Sequence, residues 1–420
     1  MNIAINMACT LEQKTGIGHY TYNLMKALID NYTNNLNNEE YKFFSYAYSN
    51  LFPNLDINNP VNNEETNKED EVNEVKKLDI IRRILYSIPF YITIRQKMLQ
   101  NKNKLIVMQR IQEIFEYHKI NIYHEPNFFI EPKKNTKSIV TIHDFSFWDV
   151  PYTHKKSLIN VMDNELEKSV NISDKIICDS NFTKQRLLHY FPNVSESKVK
   201  VIYLGTNDKN MSLSTLLQLD KENNKENENN IFLQKYNLKS KGYILSVGTI
   251  EPRKNILTLI NAFLQLPNTL QNSFPLVIVG KRGWLNDKIF EKINALEQQQ
   301  KLYFLNYVSD EDLIRLYANA KVFCYPSIYE GFGLPPLEAM ASGIPVITSN
   351  NSSLPEVVGD GALMHDSLDD LQLKQYLSNV LTDEELHKNL SEYSLNRSKL
   401  FSWKKTAEQT LQVYKEAYNE

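Results

Sequence analysis

Short apolar runs alternate with helix-like stretches along almost the whole chain, and this alternation limits the fold more than any other feature. In the first half, IAINMA, SIVTIHD and KIICDS have strand character; GHYTYNLMKALID follows the first run and NFTKQRLLHYF the third as helical patterns. In the second half, YILSVGT, PLVIVG, LYFLNYV, VFCYPS and IPVITSN are β-rich, and a helical pattern follows each. Apolar strands that alternate with helices form parallel sheets covered on both faces. The sequence therefore predicts an α/β protein.

The alternation occurs twice, on either side of a polar segment, and this predicts two domains. A length of 420 residues also exceeds what one ordinary core organises. The separating segment, LDKENNKENENN at 219–230, is rich in Asn and Glu and has little apolar surface with which to pack. We predict an α/β domain over 1–203, a linker over 204–239, a second α/β domain over 240–400 and a C-terminal helix over 401–420 that packs back across the domains. A cleft between two such domains is a common ligand site.

Charge and cysteine usage narrow the class of protein. The net charge is −3, with 47 basic and 50 acidic residues, and this balance does not favour a nucleic-acid partner. Three cysteines, Cys9, Cys178 and Cys324, lie far apart in apolar runs and form no disulfide framework, which indicates a reducing compartment. The N-terminal MNIAINMACT lacks a signal-peptide pattern, and no run approaches the roughly 20 apolar residues of a spanning helix. We expect a cytoplasmic protein.

Two consecutive segments of the first domain have unusual charge. Residues 58–75 form a polar, acidic insert, and residues 76–110 then contain nine Lys or Arg and one acid, interleaved with aromatic and aliphatic residues. Two interpretations stay open for the basic segment. It is either a peripheral contact with anionic membrane lipids or an amphipathic helix packed on its own domain.

A glycine-containing turn, TGIGHY, opens the first helical pattern. Gly16 and Gly18 follow a strand and begin a helix, where a backbone without side chains can approach a phosphate closely. The dinucleotide fingerprint requires a third glycine at position 21, which is Thr21. We therefore do not expect an NAD site; a phosphate or sugar contact and a plain turn both stay open.

The segment SVGTIEPRKN places two cations at the end of a strand. The strand ends at Gly248, and a loop stiffened by Pro252 then presents Arg253 and Lys254. Asn255 is positioned to cap the following helix. Adjacent cations at the carboxyl end of a strand suit a diphosphate, although a solvated turn would have the same composition.

Three further short motifs have polar residues near strand or helix ends. In TIHD, His143 follows a strand, where active sites of α/β proteins form, although a lone histidine is often structural. SDED contains an Asp-x-Asp triplet, but Ser309 followed by acids is typical of a helix start rather than a metal site. SLPE is interpreted in the same way, with Glu356 at the third helical position and a place in the cleft left open.

The stretch IYEGFGLPPLEAMASGIPVITSN combines acids, glycines and prolines in an ordered way. VFCYPS precedes it as a buried strand, so Glu330 lies on the loop after that strand. Prolines 335 and 336 suit a first helical turn, which places Glu338 early in a helix that ends at Gly343. Amides of the loop and helix start can bind an anionic group while the carboxylates accept bonds from hydroxyls. A nucleotide-sugar supplies both, whereas a purely structural loop with a solvated Glu338 is the alternative.

These motifs resemble those of the retaining glycosyltransferases of family 4, which have the GT-B fold. The matching segments occur in the family's order and reach across the chain: GIGHYTYNL, TIHD, VGTIEPRKN, VIVGKRGW, YPSIYEGFGLPPLEAMASGIPVITSN and SSLPEVVGDGALMHD. The two polar inserts depart from the family pattern. The resemblance implies a fold of two Rossmann-like parallel-sheet domains facing across a cleft.

The resemblance also implies residue roles. Arg253 and Lys254 would bind the donor diphosphate, Glu330 would contact the donor sugar and Glu338 would hold the ribose. Further donor contacts would come from Gly248 and from the amides of Gly331, Phe332, Gly333 and Leu334. From the N-terminal domain, Gly16 and Gly18 would approach the phosphate and acceptor, and His143 would face the reacting sugar.

The resemblance implies sugar transfer with retention, in which two cations and oriented amides stabilise the departing diphosphate without a metal or cofactor. Bacterial enzymes of surface polysaccharide and lipopolysaccharide assembly are the nearest group, with GDP-mannose as the first expectation and a UDP-sugar as the alternative. The acceptor would be a glycan or a lipid-linked glycan. A non-catalytic nucleotide-sugar scaffold and an epimerase are the competing classes.

Overall fold

The computed structural model describes residues 1–10, 16–32, 40–47, 50–53, 111–131, 133–206, 212–223, 225, 227–284 and 287–420. The acidic insert 58–75 and the basic segment 76–110 lie outside the described residues. Both interpretations of the basic segment therefore stay open.

The strands form two sheets, as the alternation of strands and helices predicts. The first has the order β3-β2-β1-β4-β5-β6-β7 and the second the order β10-β9-β8-β11-β12-β13. All described pairs are parallel except β2–β3, an antiparallel pair at the edge of the first sheet. The strands of the first sheet are β1 Asn2–Asn6, β2 Lys42–Ala47, β3 Asn50–Pro53, β4 Ile122–Glu125, β5 Lys137–Ile142, β6 Lys175–Cys178 and β7 Val199–Val201. Those of the second are β8 Ile244–Val247, β9 Leu276–Val279, β10 Leu302–Leu305, β11 Val322–Tyr325, β12 Val346–Ser349 and β13 Leu363–His365.

Helices follow the strands and cover the sheets. In the N-terminal half they are α1 Gly16–Tyr32, α2 at 111–117, α3 Ser146–Asp149, α4 Lys156–Ile172 and α5 Asn181–Tyr190. In the chain, α6 Leu213–Glu222 and α7 Glu228–Lys235 come after the last strand of the first sheet and before the first strand of the second. The second half contains α8 Ile256–Leu264, α9 Asn268–Ser273, α10 Asp287–Gln298, α11 Asp310–Asn319, α12 Leu334–Ala341, α13 Leu354–Val358, α14 Asp370–Thr382, α15 Glu384–Ser398 and α16 Trp403–Asn419.

The polar segment 219–230 is more ordered than its composition predicts. Most of its described residues belong to α6 and α7, and Leu216 and Phe232 bury their side chains. Asp220 binds Arg315 through two hydrogen bonds of 2.7 and 2.9 Å, and both side chains are buried. The expectation that this segment has too little surface to pack was wrong, because flanking apolar residues and one buried ion pair attach it to the second domain.

The C-terminal helix α16 packs against the N-terminal domain. It lies on α1 and beside β4 and β5, and it buries Ala407, Leu411 and Tyr414. The Tyr414 hydroxyl lies 2.7 Å from Nδ1 of His124, a buried residue of β4. The chain thus returns from the second domain to the first, and Phe401 just before α16 contacts Phe332 of the second domain.

Each sheet has a point at which the strand order reverses direction. In the second sheet the chain runs from β8 outward through β9 to β10, and then returns to the other side of β8 with β11. Ligands of open parallel sheets bind outside the carboxyl ends of the strands at such a switch point. The loops that leave β8 and β11 are therefore where the fold places a site.

Candidate active site

Two loops at the switch point bring the predicted cations and acid together. After β8 and Gly248, a 3₁₀ turn at Pro252–Lys254 presents Arg253 and Lys254. After β11, the second loop carries Glu330, which is buried. Because β8 and β11 are hydrogen-bonded neighbours, residues 77 positions apart in the sequence meet at one edge of the sheet.

Glu330 forms ion pairs with both cations. Its Oε2 accepts a hydrogen bond from Arg253 Nη1 at 2.9 Å, and its Oε1 accepts one from Lys254 Nζ at 2.6 Å. Arg253 Nη2 donates to Oε1 of Glu251 at 2.8 Å. The side chains of Arg253, Lys254 and Glu330 are only 14%, 12% and 9% exposed. The site thus holds two preorganised positive charges that two carboxylates neutralise.

The pKa values follow from burial and from these pairs. Burial alone would raise the pKa of Glu330, but Arg253 and Lys254 lower it to about 2, so this carboxylate is ionised near neutral pH. Burial and the charge of Arg253 together lower the pKa of Lys254, against the opposing effect of Glu330. Glu330 therefore stabilises the charged form of Lys254 against burial and against the neighbouring Arg253.

Several side chains around Glu330 were not singled out from the sequence. The hydroxyls of Tyr325 and Ser327 both donate to Glu330 Oε1, and Lys254 Nζ donates to the Tyr325 hydroxyl at 2.6 Å. Both residues lie in VFCYPS, at and just after the carboxyl end of β11. Their position at the end of a buried strand was the signal that could have indicated them.

The glycine loop after Glu330 lies very close to the N-terminal domain. A Cβ atom added to Gly331 would lie 1.9 Å from the backbone oxygen of His143, which belongs to the N-terminal domain. Thr183 Oγ1 donates to the carbonyl oxygens of both His143 and Gly331, at 3.1 and 3.2 Å. A residue without a side chain is therefore required at 331.

Helix α12 begins immediately after this loop. Gly333 precedes it with φ of +114°, a left-handed conformation, and the two prolines occupy the first turn as predicted. Gly343, with φ of +69°, follows the end of the helix, which confirms the predicted boundary. The first amides of a helix have no intrahelical acceptor, so the N–H groups at 333 and 334 can serve an anion. The ring of Phe332 instead packs against Tyr203 and Phe401.

Glu338 lies apart from Glu330, in the wall of the cleft. Its Oε2 accepts a hydrogen bond from the Tyr317 hydroxyl at 3.0 Å. The surrounding cleft is lined from both domains. Its lining residues include His19, Asn23, Asp310, Leu334, Glu338 and Trp403. Burial and the nearby Asp310 raise the pKa of Glu338 to about 7, against the opposing bond from Tyr317.

The raised pKa of Glu338 predicts a pH-dependent stability difference. Since the pKa rises from 4.5 to about 7 on folding, its stabilising contribution is present below pH 4.5 and is lost as the pH rises through 7. Glu338→Gln, which stays neutral, should therefore gain in melting temperature relative to wild type as the pH increases over this range. Thermal unfolding of the ligand-free proteins measures this difference. If the melting temperatures of Glu338→Gln and wild type change in parallel with pH, the raised pKa of Glu338 is contradicted. Asp310→Asn removes a negative charge near Glu338, so this variant should also gain in melting temperature relative to wild type as the pH increases.

Helix α1, which begins at the predicted Gly16 and Gly18, contributes residues to the cleft. Gly16 and Gly18 lie in the first turn of α1, whose residues His19 and Asn23 line the same cleft as Glu338. The structure thus places the start of α1 opposite α12. This position is compatible with an approach to the phosphate or acceptor, and that role stays a prediction.

His143 lies at the carboxyl end of β5, but both of its ring nitrogens already have partners. Nδ1 lies 2.6 Å from Asp179 Oδ2, and Nε2 lies 2.8 Å from the carbonyl oxygen of Pro126. Burial alone would lower the pKa of His143, but the Asp179 carboxylate raises it. In this conformation the backbone of His143, rather than its imidazole, meets the glycine loop.

The predicted helix starts have mixed outcomes. Ser309 Oγ accepts the N–H of Asp312 at 3.1 Å, which confirms SDED as the start of α11. Asn255 precedes α8 but does not cap it with its side chain, contrary to the expectation; its amide donates to the carbonyls of Pro326 and Ser367. Asn255 instead fixes the loop that carries the cations.

The SLPE segment links the two domains through Glu356, and Ser353 does not form the expected helix cap. Ser353 Oγ donates to the carbonyls of Glu330 and Phe332, so it does not cap α13. Glu356 is the third residue of that helix, as predicted, and its carboxylate accepts the backbone N–H groups of Asn181 and Phe182 at 3.1 and 3.0 Å. A carboxylate of one domain thus binds the N-terminus of α5 in the other.

Comparison with known proteins identifies the family. The family model "Glycosyl transferases group 1" matches residues 194–397, and "Glycosyltransferase Family 4" matches residues 67–210. O-antigen chain mannosyltransferase B of Escherichia coli is 35% identical over 321 residues, 76% of this chain and 81% of the relative. The chain belongs to glycosyltransferase family 4. The glycosyltransferase also shares 31% identity over 243 residues with O-antigen chain mannosyltransferase RfbU of Salmonella typhimurium, covering 57% of this chain and 60% of the relative.

Solved structures confirm the predicted GT-B fold of the glycosyltransferase. Sucrose-phosphate synthase from Thermosynechococcus elongatus superposes with a TM-score of 0.68 at 18% identity, covering 100% of this chain and 99% of the other. WaaG, a glycosyltransferase involved in lipopolysaccharide biosynthesis, gives a TM-score of 0.66 at 13% identity, with 98% and 99% covered. Anabaena HepE, solved with UDP and glucose, gives 0.63 at 13% identity, with 99% and 100% covered.

Two further observations concern the described part of the glycosyltransferase. Within that part, no helix combines the length and the apolar character that a membrane span requires. Nor do three or more His, Cys, Asp or Glu side chains come together there in a group that could hold a metal ion.

Proposed function

We propose that this glycosyltransferase moves mannose from GDP-mannose, with retention, to a glycan or lipid-linked glycan in polysaccharide or lipopolysaccharide biosynthesis. The observation that carries the proposal is the cluster of Arg253, Lys254 and Glu330 at the switch point of the second sheet. The choice of mannose draws on several of the relatives, among them two O-antigen mannosyltransferases and the serotype-specific mannosyltransferase WbdA of Escherichia coli. WbdA is 40% identical over 178 residues, 41% of this chain and 21% of that longer protein.

The charges of the cluster suit the departure of a nucleoside diphosphate. As the bond between the sugar and the phosphate breaks, negative charge grows on the phosphate oxygens, and preorganised cations stabilise it. Arg253 and Lys254 are already in place, since Glu251 and Glu330 hold them. The diphosphate would replace part of that carboxylate contact and supply negative charge beside Lys254. The N–H groups at the start of α12 would add further stabilisation.

The two glutamates would serve different parts of the donor. Glu330 lies beside the cations, is ionised, and would accept hydrogen bonds from sugar hydroxyls while it orients Arg253 and Lys254. Glu338 lines the cleft next to Tyr317 and would accept the ribose hydroxyls. With the leaving phosphate as acceptor for the proton of the attacking hydroxyl, the reaction would need no dedicated protein base.

A donor screen tests the proposal directly. The purified protein is incubated with GDP-mannose, UDP-glucose and related nucleotide-sugars together with glycan acceptors, and released nucleoside diphosphate is measured. We expect the fastest release from GDP-mannose, and an α-linked product by NMR. Faster turnover of a UDP-sugar would replace the donor assignment. Binding without release would favour a scaffold, and donor conversion without an acceptor would favour an epimerase.

We also infer that transfer requires no divalent metal, because the two cations supply the charge that a metal would otherwise provide. Asp310 and Asp312 belong to the first turn of α11, where Asp312 accepts bonds from Ser309, Lys235 and Tyr236. Asp310→Asn should therefore retain activity within about threefold of wild type, because Asp310 lies next to the proposed ribose contact Glu338 rather than at the diphosphate. The measurement is turnover with and without a chelator. Metal-dependent activity that this substitution abolishes would contradict both inferences.

We also propose a cytoplasmic location for the enzyme. Peripheral contact of residues 76–110 with the inner face of the cytoplasmic membrane remains the alternative to a packed helix. Co-sedimentation with vesicles rich in phosphatidylglycerol, compared with phosphatidylcholine vesicles, separates the two.

A further inference from the structure

The residue before Glu330 crosses the cleft with its side chain. Tyr329 belongs to the second domain and is 4% exposed. Its hydroxyl donates a hydrogen bond of 2.8 Å to Oδ2 of Asp149, the last residue of α3 in the N-terminal domain. Its ring also meets the ring of Phe182, in the first turn of α5, in an edge-on contact at 5.4 Å. One side chain of the catalytic loop thus binds the opposite domain.

The acceptor on the opposite domain is held rigidly. Arg186 Nε donates to Asp149 Oδ2 at 2.8 Å, and Arg186 Nη2 donates to its Oδ1. The Tyr190 hydroxyl donates to Oδ1 at 2.7 Å. Since Arg186 and Tyr190 both belong to α5, the N-terminal domain fixes this carboxylate without help from the second domain. Tyr329 therefore meets a charged acceptor of fixed orientation only when the domains are together.

The backbone of the same residue contacts the candidate catalytic cation. The carbonyl oxygen of Tyr329 accepts a hydrogen bond of 2.7 Å from Arg253 Nη1, the nitrogen that also binds Glu330. Ser327 Oγ lies 3.3 Å from the same carbonyl oxygen. A displacement of Tyr329 would therefore change the place of Arg253 and, through the next peptide bond, of Glu330.

We propose that Tyr329 is a positioning residue that sets Arg253 and Glu330 in their reactive arrangement when the domains close. The Tyr329 hydroxyl binds Asp149 only when the domains are together, and the Tyr329 carbonyl oxygen then holds Arg253 in place. This inference rests on the proposed role of Arg253 at the donor diphosphate. It makes turnover depend on closure, whereas a nucleoside diphosphate still binds the second domain alone.

The test compares two tyrosines that donate to the same carboxylate. Tyr329→Phe removes the bond across the cleft, and Tyr190→Phe removes a bond to Asp149 within the N-terminal domain. Loss of a hydrogen bond to a charged group should lower kcat of Tyr329→Phe about tenfold to a hundredfold. We expect its affinity for GDP, measured by calorimetry, to stay within about threefold of wild type. The kcat of Tyr190→Phe should stay near that of wild type, because Arg186 still holds Asp149 through two hydrogen bonds.

A second measurement does not require activity. Small-angle scattering should show a more open particle for Tyr329→Phe than for wild type and Tyr190→Phe. Wild-type kcat in Tyr329→Phe, equal losses in both variants, or unchanged scattering would each overturn the inference. Failure of the proposed function is distinct from these results, because it would appear in the wild-type protein as no diphosphate release with any donor. In that case the scattering comparison alone decides whether Tyr329 holds the domains together.

Discussion

Replacement of Lys254 by alanine is expected to lower kcat by about a hundredfold or more, which corresponds to about 2.7 kcal/mol of transition-state stabilisation. The ammonium group lies 2.6 Å from Glu330 Oε1, in a largely buried site at the switch point of the sheet. Its removal takes away a positive charge at the place where negative charge would develop on the leaving diphosphate. Steady-state release of nucleoside diphosphate measures the effect.

The structure indicates that this variant will fold. Glu330 retains hydrogen bonds from Arg253, Tyr325 and Ser327 after the substitution, so its carboxylate stays satisfied. Lys235→Ala is a matched control, because Lys235 is 56% exposed and pairs with Asp312 outside the site. Thermal unfolding should be similar for both variants, and wild-type turnover in Lys254→Ala would refute the site assignment.

Glu330→Ala should show a comparable loss of turnover, but with a second effect. The substitution leaves Arg253 and Lys254 without their shared carboxylate in a buried site. Breaking a buried ion pair on one side costs about 3–5 kcal/mol of stability. A lower melting temperature should therefore accompany the lower rate, and this makes Lys254→Ala the cleaner test.

Replacement of Gly331 by alanine should lower kcat by about a hundredfold, the size of loss that follows a displacement of about 1 Å in a reacting centre. The new Cβ would lie 1.9 Å from the backbone oxygen of His143 across the cleft. Backbone atoms cannot rotate away as a side chain does, so the two domains must move apart. The melting temperature should change little, because the clash lies between the domains rather than inside either one.

Gly361→Ala provides the contrast. Its new Cβ would lie 2.1 Å from the ring of Tyr393, which belongs to the same domain and lies away from the catalytic loops. We expect this variant to lose stability while its folded fraction keeps wild-type kcat. Steady-state kinetics together with thermal unfolding of both variants distinguish the two cases. Full activity in Gly331→Ala would show that the catalytic arrangement does not need this close contact.

The parts of the fold that the sequence predicted correctly depend mainly on local sequence patterns. Two parallel sheets follow from apolar runs that alternate with helices, because strand and helix periodicities are properties of short segments. The start of α12 at the two prolines and the start of α11 after Ser309 were predicted for the same reason. The caps expected at Asn255 and Ser353 failed, because carbonyl groups distant in the sequence compete for those side chains.

The candidate site could be predicted as a set of residue types but not as an arrangement. The sequence indicated Arg253, Lys254 and Glu330 separately, and their mutual ion pairs depend on β8 lying beside β11. It gave no sign that Asp179 would bind His143 or that Asp149 would receive Tyr329. Those partners lie 36 and 180 positions away in the chain.

The sequence by itself determined the two α/β domains, the loop that carries Glu330 and the helix that carries Glu338. Only the tertiary structure decided that Glu330 is ionised between two cations while the pKa of Glu338 rises to about 7. Backbone periodicity and turn chemistry are set by neighbouring residues, whereas a pKa is set by burial and by charges brought near through folding. Two glutamates only eight residues apart in the sequence thus have pKa values shifted in opposite directions.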